Sequence, residues 1–352
     1  MTQSDLDAGA LADYLKGKLP DFDGPLRITE CGGGQSNPTY RLDVGSARYA
    51  LRRQPSGKLL KSSHAVYREF RVISALANTA VPVPEDYHLC TDREILGTMF
   101  YVMQWCDGHV FWDAPLKALD NARRATVYEQ MVTVLAAIHS VDLEAAGLVD
   151  YGKPGSYFER QLSRWTSQYR ASETTPIASM DRLIDWLTER LPDDDGRASL
   201  VHGDYRLDNL MFNAPGEAGF GDSDYAPRIV AVIDWELSTL GHPLADLAYQ
   251  CMQLRMPPAV KDLAGLGGLD RAALGIPEES EYLARYCALT GMAAIDNWSF
   301  YLAFSYFRLA AILQGVARRA LDGNASGAKA SAMGAYVQPL AEMALAVADA
   351  PA

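Results

Sequence analysis

The chain has 352 residues, 49% apolar and 22% charged, which is ordinary globular composition and excludes a disordered, collagen-like or coiled-coil protein. At roughly 150 residues per domain that length predicts about two domains. The net charge of −12 and the lack of a long Lys/Arg block argue against nucleic acid or an anionic membrane as partner, so small molecules come first. Five cysteines, an odd set without a CxxC pair, suggest neither a zinc site nor a disulfide framework, and the acidic start MTQSDLDAGALADYL lacks the pattern of a signal peptide. The expectation is a cytoplasmic, reduced protein.

Residues 4–18 have the spacing of a short amphipathic helix with Ser4 as N-cap. LRITE, PTYRLDV and ARYALRR alternate as strands, joined by the glycine turn CGGGQSN and a tight Gly-Ser turn, which predicts an antiparallel meander. Helical spacing follows over 62–78, through Val66, Phe70, Ile73 and Leu76, and then VPVPEDYHLC and GTMFYVMQW supply two more strands. Beyond Asp107-Gly108 the pattern is mostly helical, apart from the short apolar runs 209–212 and 229–234 around a polar loop. The stretch from Trp298 to Leu313 is interrupted by Arg308 and is shorter than a membrane span, so it reads as a core helix. A boundary near Gly108 therefore divides residues 1–108, rich in strands, from 109–352, mostly helical. Charge divides there too, with 13 acids and 12 bases before it and 31 acids and 20 bases after it. The Asn324-Ala325-Ser326 sequon carries no weight without an export signal.

The chemistry is carried by VHGDYRLDNLMF (201–212), followed 25 residues after Asn209 by Ile233-Asp234-Trp235-Glu236. An Asp, an Asn five positions on and a second Asp ending a strand suit phosphoryl transfer. One carboxylate accepts the proton of the attacking hydroxyl, while an amide oxygen and another carboxylate hold Mg²⁺ against nucleotide phosphates. Asp204 is then the base, and Asn209 and Asp234 are the metal ligands. The Asp204 to Asn209 spacing equals that of the protein-kinase loop H-R-D-x-x-x-x-N, with Gly203 in place of Arg. Arg206 could point its guanidinium at the transferring phosphoryl group, whose oxygens carry charge in the transition state. A turn and a helix cap would explain isolated Asp and Asn residues equally well. Five strands and one helix ahead of a helical region, the layout of a kinase small lobe, favour the catalytic reading.

HGDYRLDNLMF, VIDWELSTLGHPLADLAY (232–249) and SYFRLAAILQGVARR (305–319) resemble the aminoglycoside phosphotransferase and choline kinase superfamily, and in particular the kinase-like domain fused to some acyl-CoA dehydrogenases. The resemblance covers nearly the whole chain. It implies an α+β, bilobal protein-kinase-like fold, with a five-stranded antiparallel sheet and a helix in the small lobe and a mostly helical large lobe. ATP and Mg²⁺ would lie between the lobes. By position, Gly32, Gly33, Gly34, Gln35, Ser36 and Asn37 look like the loop over the ATP phosphates, where glycines let backbone N–H groups approach an anion. The expected third-strand lysine is replaced by Arg52, beside Arg53, and Glu69 resembles the helix glutamate that pairs with that cation. Met103 would pack behind adenine, with Gln104 and Cys106 offering it backbone groups. His202 would orient the catalytic loop and Asp246 brace it, while Glu236 is either a second metal ligand or an ion-pair partner. His139 reads as a satisfied helix-end histidine, and His64, His88, His109 and His242 lack metal-ligand spacing.

The implied acceptor is a small-molecule hydroxyl: a hydroxyacyl-CoA, or alternatively an aminoglycoside, choline-like alcohol or sugar. Arg206, Arg255 and Arg308 are candidate cations for its anionic group. A non-catalytic nucleotide-binding module is the rival from another class. A kinase acting on protein is disfavoured by the eleven residues between Asp234 and Asp246, too few for a peptide-docking segment.

Overall fold

In the computed structural model, residues 6–32, 37–55, 66–216, 219–258, 263–322 and 332–350 are described. The first helix, α1 (Ala8–Leu15), is shorter than its spacing predicts, and Asp7 caps it by accepting from the Gly9 and Ala10 N–H groups. Ser4, the expected cap, lies outside the described residues. Strands β1 (Leu26–Glu30), β2 (Thr39–Val44) and β3 (Ala47–Arg53) form the expected antiparallel meander. Helix α2 (Val66–Leu76) follows, then β4 (Asp86–Cys90), a short α3 (Arg93–Leu96) and β5 (Phe100–Gln104). Strand β4 starts later than predicted because Pro82 and Pro84 have no N–H to donate to a ladder. The sheet order is β1-β2-β3-β5-β4, with every pair antiparallel.

The large lobe starts at β6 (Gly108–Val110) and continues through α4 (Asn121–His139), α5 (Tyr157–Ser172), α6 (Ala178–Glu189), β7 (Ser199–Val201), β8 (Leu210–Asn213), β9 (Ile229–Val232) and β10 (Thr239–Gly241). It ends with α7 (Leu244–Arg255), α8 (Arg271–Leu274), α9 (Glu279–Thr290), α10 (Trp298–Leu321) and α11 (Val337–Ala348). The two predicted apolar runs are β8 and β9. Strands β6, β7 and β10 have three residues each, too few for a readable alternation. Gly108 is required where β6 meets β8, since a Cβ there would come within 2.3 Å of the Met211 Cγ. Helix α10 is long and apolar enough to cross a membrane by length and composition, yet 83% of that stretch is buried inside the protein. It packs on α5, α7 and α11.

Two apolar cores result. Leu11, Leu15, Leu42, Leu51, Phe100 and Val102 fill one between α1 and the sheet. The other belongs to the large lobe, yet it includes Val66, Val72, Ile73 and Leu76 of α2 and Tyr101 of β5. At about 1.5–3 kcal/mol for each buried aliphatic side chain, these four α2 residues bind that helix firmly to the large lobe. Small-lobe residues are therefore held at fixed positions against the catalytic loop.

Candidate active site

The loop from His202 to Asn209 leaves the short strand β7 and is held at nearly every polar group. Asp246, completely buried on α7, accepts from the N–H groups of His202 (2.6 Å) and Gly203 (2.8 Å). Burial would raise its pKa, but the hydrogen bond and charge of His139, then His202 and the Gly203 N–H, hold it below the ordinary carboxylate range. His139 Nδ1 lies 2.6 Å from the Tyr286 hydroxyl and its Nε2 3.4 Å from Asp246, so this helix-end histidine is satisfied and shares in the brace. The His202 Nε2–H donates to the Ile233 carbonyl, and Nδ1 accepts from the Asp204 N–H. Both ring nitrogens are thus engaged in positioning. Tyr205 ties the loop to α4 through the Met131 carbonyl at 2.8 Å. Gly203 adopts φ +85°, and a Cβ would meet the Leu237 carbonyl at 2.5 Å, so only glycine fits.

Asp204 and Asn209 are brought together. The Asn209 Nδ2 donates to the Asp204 carbonyl (2.8 Å) and carboxylate (3.0 Å), which leaves Asn209 Oδ1 as the acceptor end of that amide. Burial raises the pKa of Asp204, partly offset by Arg206, His202 and Arg308. The Ile233 N–H donates to the Asn209 carbonyl, so the loop and the residue before Asp234 move as one unit. Asp234 has φ 66° and ψ 57°, the left-handed region that Asp tolerates and that is often found at functional sites. Asn209 and Asp234 offer only oxygen donors, and no cluster of three His, Cys, Asp or Glu residues exists among the described residues. That set fits Mg²⁺, which takes one or two carboxylates and completes its octahedron with phosphate oxygens and water.

From the small lobe, Arg52 bridges two carboxylates. Its Nε is 3.0 Å from Glu69 and its Nη2 is 2.5 Å from Asp234. Burial alone would lower the Arg52 pKa, yet Glu69, Tyr101, Asp234 and Glu236 together hold it above the ordinary value. Glu69 is almost wholly buried. Its carboxyl is pushed up to about 7 by that burial, against the attraction of Arg52 and with Asp234 and Glu236 adding repulsion. Arg53 points to the other face of β3, over the Tyr40 ring.

Some expectations change. The Arg206 guanidinium forks onto Asp208, which the short helical turn at 207–209 folds back toward it. Burial would lower its pKa, but Asp208 and Asp204 hold it well above the ordinary value. Arg255 is likewise paired, bidentately with Glu279 at 2.6 and 2.7 Å, and Arg308 donates to the Gly203 carbonyl. All three candidate cations are therefore partnered within the protein. Asn37 donates to Glu69 Oε1 at 2.6 Å and to Glu236 Oε2 at 3.4 Å, so its side-chain amide braces the Arg52 cluster. Gly33, Gly34, Gln35 and Ser36 lie outside the described residues. Met103 stands opposite Ala50 in the sheet. The Gln104 N–H is taken by the Glu85 carbonyl, which leaves its own carbonyl and the Cys106 backbone as the hinge groups for a ligand.

Tyr249 escaped the sequence reading. Its phenol pKa is raised first by burial and then by the charge of Asp204, so it belongs to the surroundings of that carboxylate. An arginine in an apolar helix was the one available hint of Arg308, since a buried cation needs a partner.

Known proteins with this architecture agree. Residues 27–282 match the phosphotransferase enzyme family APH. The chain is 48% identical over 336 residues to mouse acyl-CoA dehydrogenase family member 10, covering 95% of this chain and 30% of that protein. It is 42% identical over 353 residues to the Arabidopsis thaliana probable acyl-CoA dehydrogenase IBR3, covering 95% of this chain and 41% of that protein. The chain thus spans less than half the length of these relatives. A crystal structure from Ralstonia eutropha, provisionally described as an aminoglycoside phosphotransferase, superposes with a TM-score of 0.86 at 46% identity, covering 97% of this chain and 98% of that one. A ternary complex of a thermostable mutant of aminoglycoside phosphotransferase APH(4)-Ia with AMP-PNP and hygromycin B shares the fold, with a TM-score of 0.61 at 16% identity over 98% of this chain and 100% of that one. The chain belongs to the APH phosphotransferase family and has its kinase-like fold.

Proposed function

We propose that the chain is an ATP- and Mg²⁺-dependent phosphotransferase that moves the γ-phosphoryl group to a hydroxyl of a small molecule. The observation that carries this reading is the convergence of Asp204, Asn209 and Asp234 on one side of the cleft with the Arg52–Glu69 pair on the other. Asp204 accepts the proton of the acceptor hydroxyl as its oxygen bonds to the γ-phosphorus and the bond to the bridging oxygen breaks, releasing ADP. Asn209 and Asp234 would hold Mg²⁺, which offsets phosphate charge when bound. Arg52, once Asp234 takes up the metal, has a guanidinium edge for the phosphates while Glu69 keeps its Nε in place. A module that only binds nucleotide has no need of Asp204 held in this way, so catalysis is the better reading.

For the acceptor we favour a hydroxyacyl-CoA, because the relatives at 42–48% identity are named as acyl-CoA dehydrogenases and this chain aligns with only part of each. The acidic large lobe is the observation that favours a polycationic aminoglycoside, but whole-lobe charge is mostly solvated surface. ATP consumption across hydroxyacyl-CoA, aminoglycoside, choline-like and sugar acceptors tests both readings, with Asp204→Asn as control. The expected result is hydroxyacyl-CoA turnover, reduced about 10²- to 10⁴-fold in the variant while ATP still binds. Efficient aminoglycoside transfer alone would reverse the acceptor assignment, and variant turnover within about twofold of wild type would remove Asp204 as the base.

A further inference from the structure

We propose that Arg308 is a positioning residue for phosphoryl transfer, fixing through the Gly203 carbonyl the peptide plane from which the Asp204 side chain springs. This rests on the reading of Asp204 as the base. The direction of a side chain follows the peptide on its N-terminal side, and here that peptide has two polar groups, the Gly203 carbonyl and the Asp204 N–H. The N–H is held by His202 Nδ1 at 3.2 Å, and the carbonyl by Arg308 Nη2, reaching across from α10. Asp246 secures the two preceding N–H groups. Four backbone polar groups over 202–204 are therefore held, two by α7, one by α10 and one by the loop's own His202, and among the described residues Arg308 is the side-chain donor to the Gly203 carbonyl.

Arg308 is itself held in place. It is 8% exposed, and its guanidinium lies over the rings of Tyr249 (5.0 Å to the centroid) and Trp165 (5.7 Å). A cation so enclosed and already bonded to the backbone is poorly placed to receive a substrate anion. With its carbonyl freed, the buried Gly203 peptide would lack a partner and rotate toward one, carrying Asp204 away from the acceptor hydroxyl.

The test compares Arg308→Met, which keeps a packing stem without a donor, with Arg308→Lys, which keeps the charge and one donor. MgATP is supplied with water alone and with a hydroxybutyryl-CoA as acceptors, and amide hydrogen exchange is followed over residues 201–205. In Arg308→Met we expect kcat to fall about 10²-fold with the KM for ATP within about twofold, the scale of a misplaced reacting group. Exchange over that segment should rise about tenfold while α7 stays protected. Arg308→Lys should recover most of both. Wild-type kcat and exchange in Arg308→Met would overturn the proposal, as would equal losses in the two variants or a selective rise in acceptor KM, which would mean packing or substrate binding instead. Should the wild type transfer phosphate to no acceptor, the proposed function fails, and the exchange measurement alone decides whether Arg308 orders the loop.

Discussion

Replacing Asp246 by Asn exchanges one carboxylate oxygen for an NH₂ group in the most enclosed part of the site, and its consequences can be worked out from the hydrogen bonds. The carboxylate accepts from the His202 and Gly203 N–H groups at 2.6 and 2.8 Å with no exposure to solvent. An amide has one oxygen, so one N–H keeps a partner and the other faces an NH₂ group. The orphaned buried donor costs about 1–3 kcal/mol, and the surviving bond loses its charge assistance, about 1 kcal/mol more. A total of roughly 2–4 kcal/mol lowers Tm by roughly 3–5 °C in a chain of this size. Because the folded pKa of Asp246 lies below the ordinary value, its contribution is complete above the unfolded value and is lost as pH falls through the folded one. Chemical denaturation of wild type and Asp246→Asn should therefore show a constant stability gap from about pH 5 to 8 that closes only in stronger acid. A gap absent at neutral pH, or one that widens toward acid, would refute the bracing role.

Other expectations concern the carboxylates and cations facing it. Arg52→Ala should raise the KM for ATP, whereas Arg53→Ala, which loses packing over Tyr40, should cost about 1 kcal/mol of stability and leave KM unchanged; steady-state kinetics and thermal melts separate the two. Asp234→Ala should abolish the Mg²⁺ dependence of ATP binding in calorimetric titrations, and unchanged dependence would remove it as a ligand. Glu69, with its carboxyl raised from 4.5 to about 7, contributes stability that is complete below about 4.5 and is lost as pH rises through about 7. The wild type should thus lose up to ~3 kcal/mol relative to Glu69→Gln over that range, and parallel stability curves would contradict this.

Wherever the physics is local, the sequence was sufficient. Alternation placed β1, β2 and β3 because side chains on a strand repeat every two residues, and helical spacing placed α2 and α10 for the same kind of reason. The Asp204 to Asn209 spacing was also readable, since both residues sit on one short loop and the chain alone brings them together. The contact that excludes a side chain at Gly108 comes from Met211, about a hundred residues away, and no local pattern reveals it.

What the tertiary structure decided is pairing across distance. Arg206 looked available in the sequence and is taken by Asp208; Arg308 looked like a substrate cation and instead holds the Gly203 carbonyl from 105 residues away. Asn37 looked like part of a phosphate loop, and it braces Glu69. A side chain's charge and donors are written in its residue type, but which partner meets them depends on packing, and buried charges accept no vacancy. That is why the proposed base and metal ligands could be read one residue at a time, while the network that holds them required the fold.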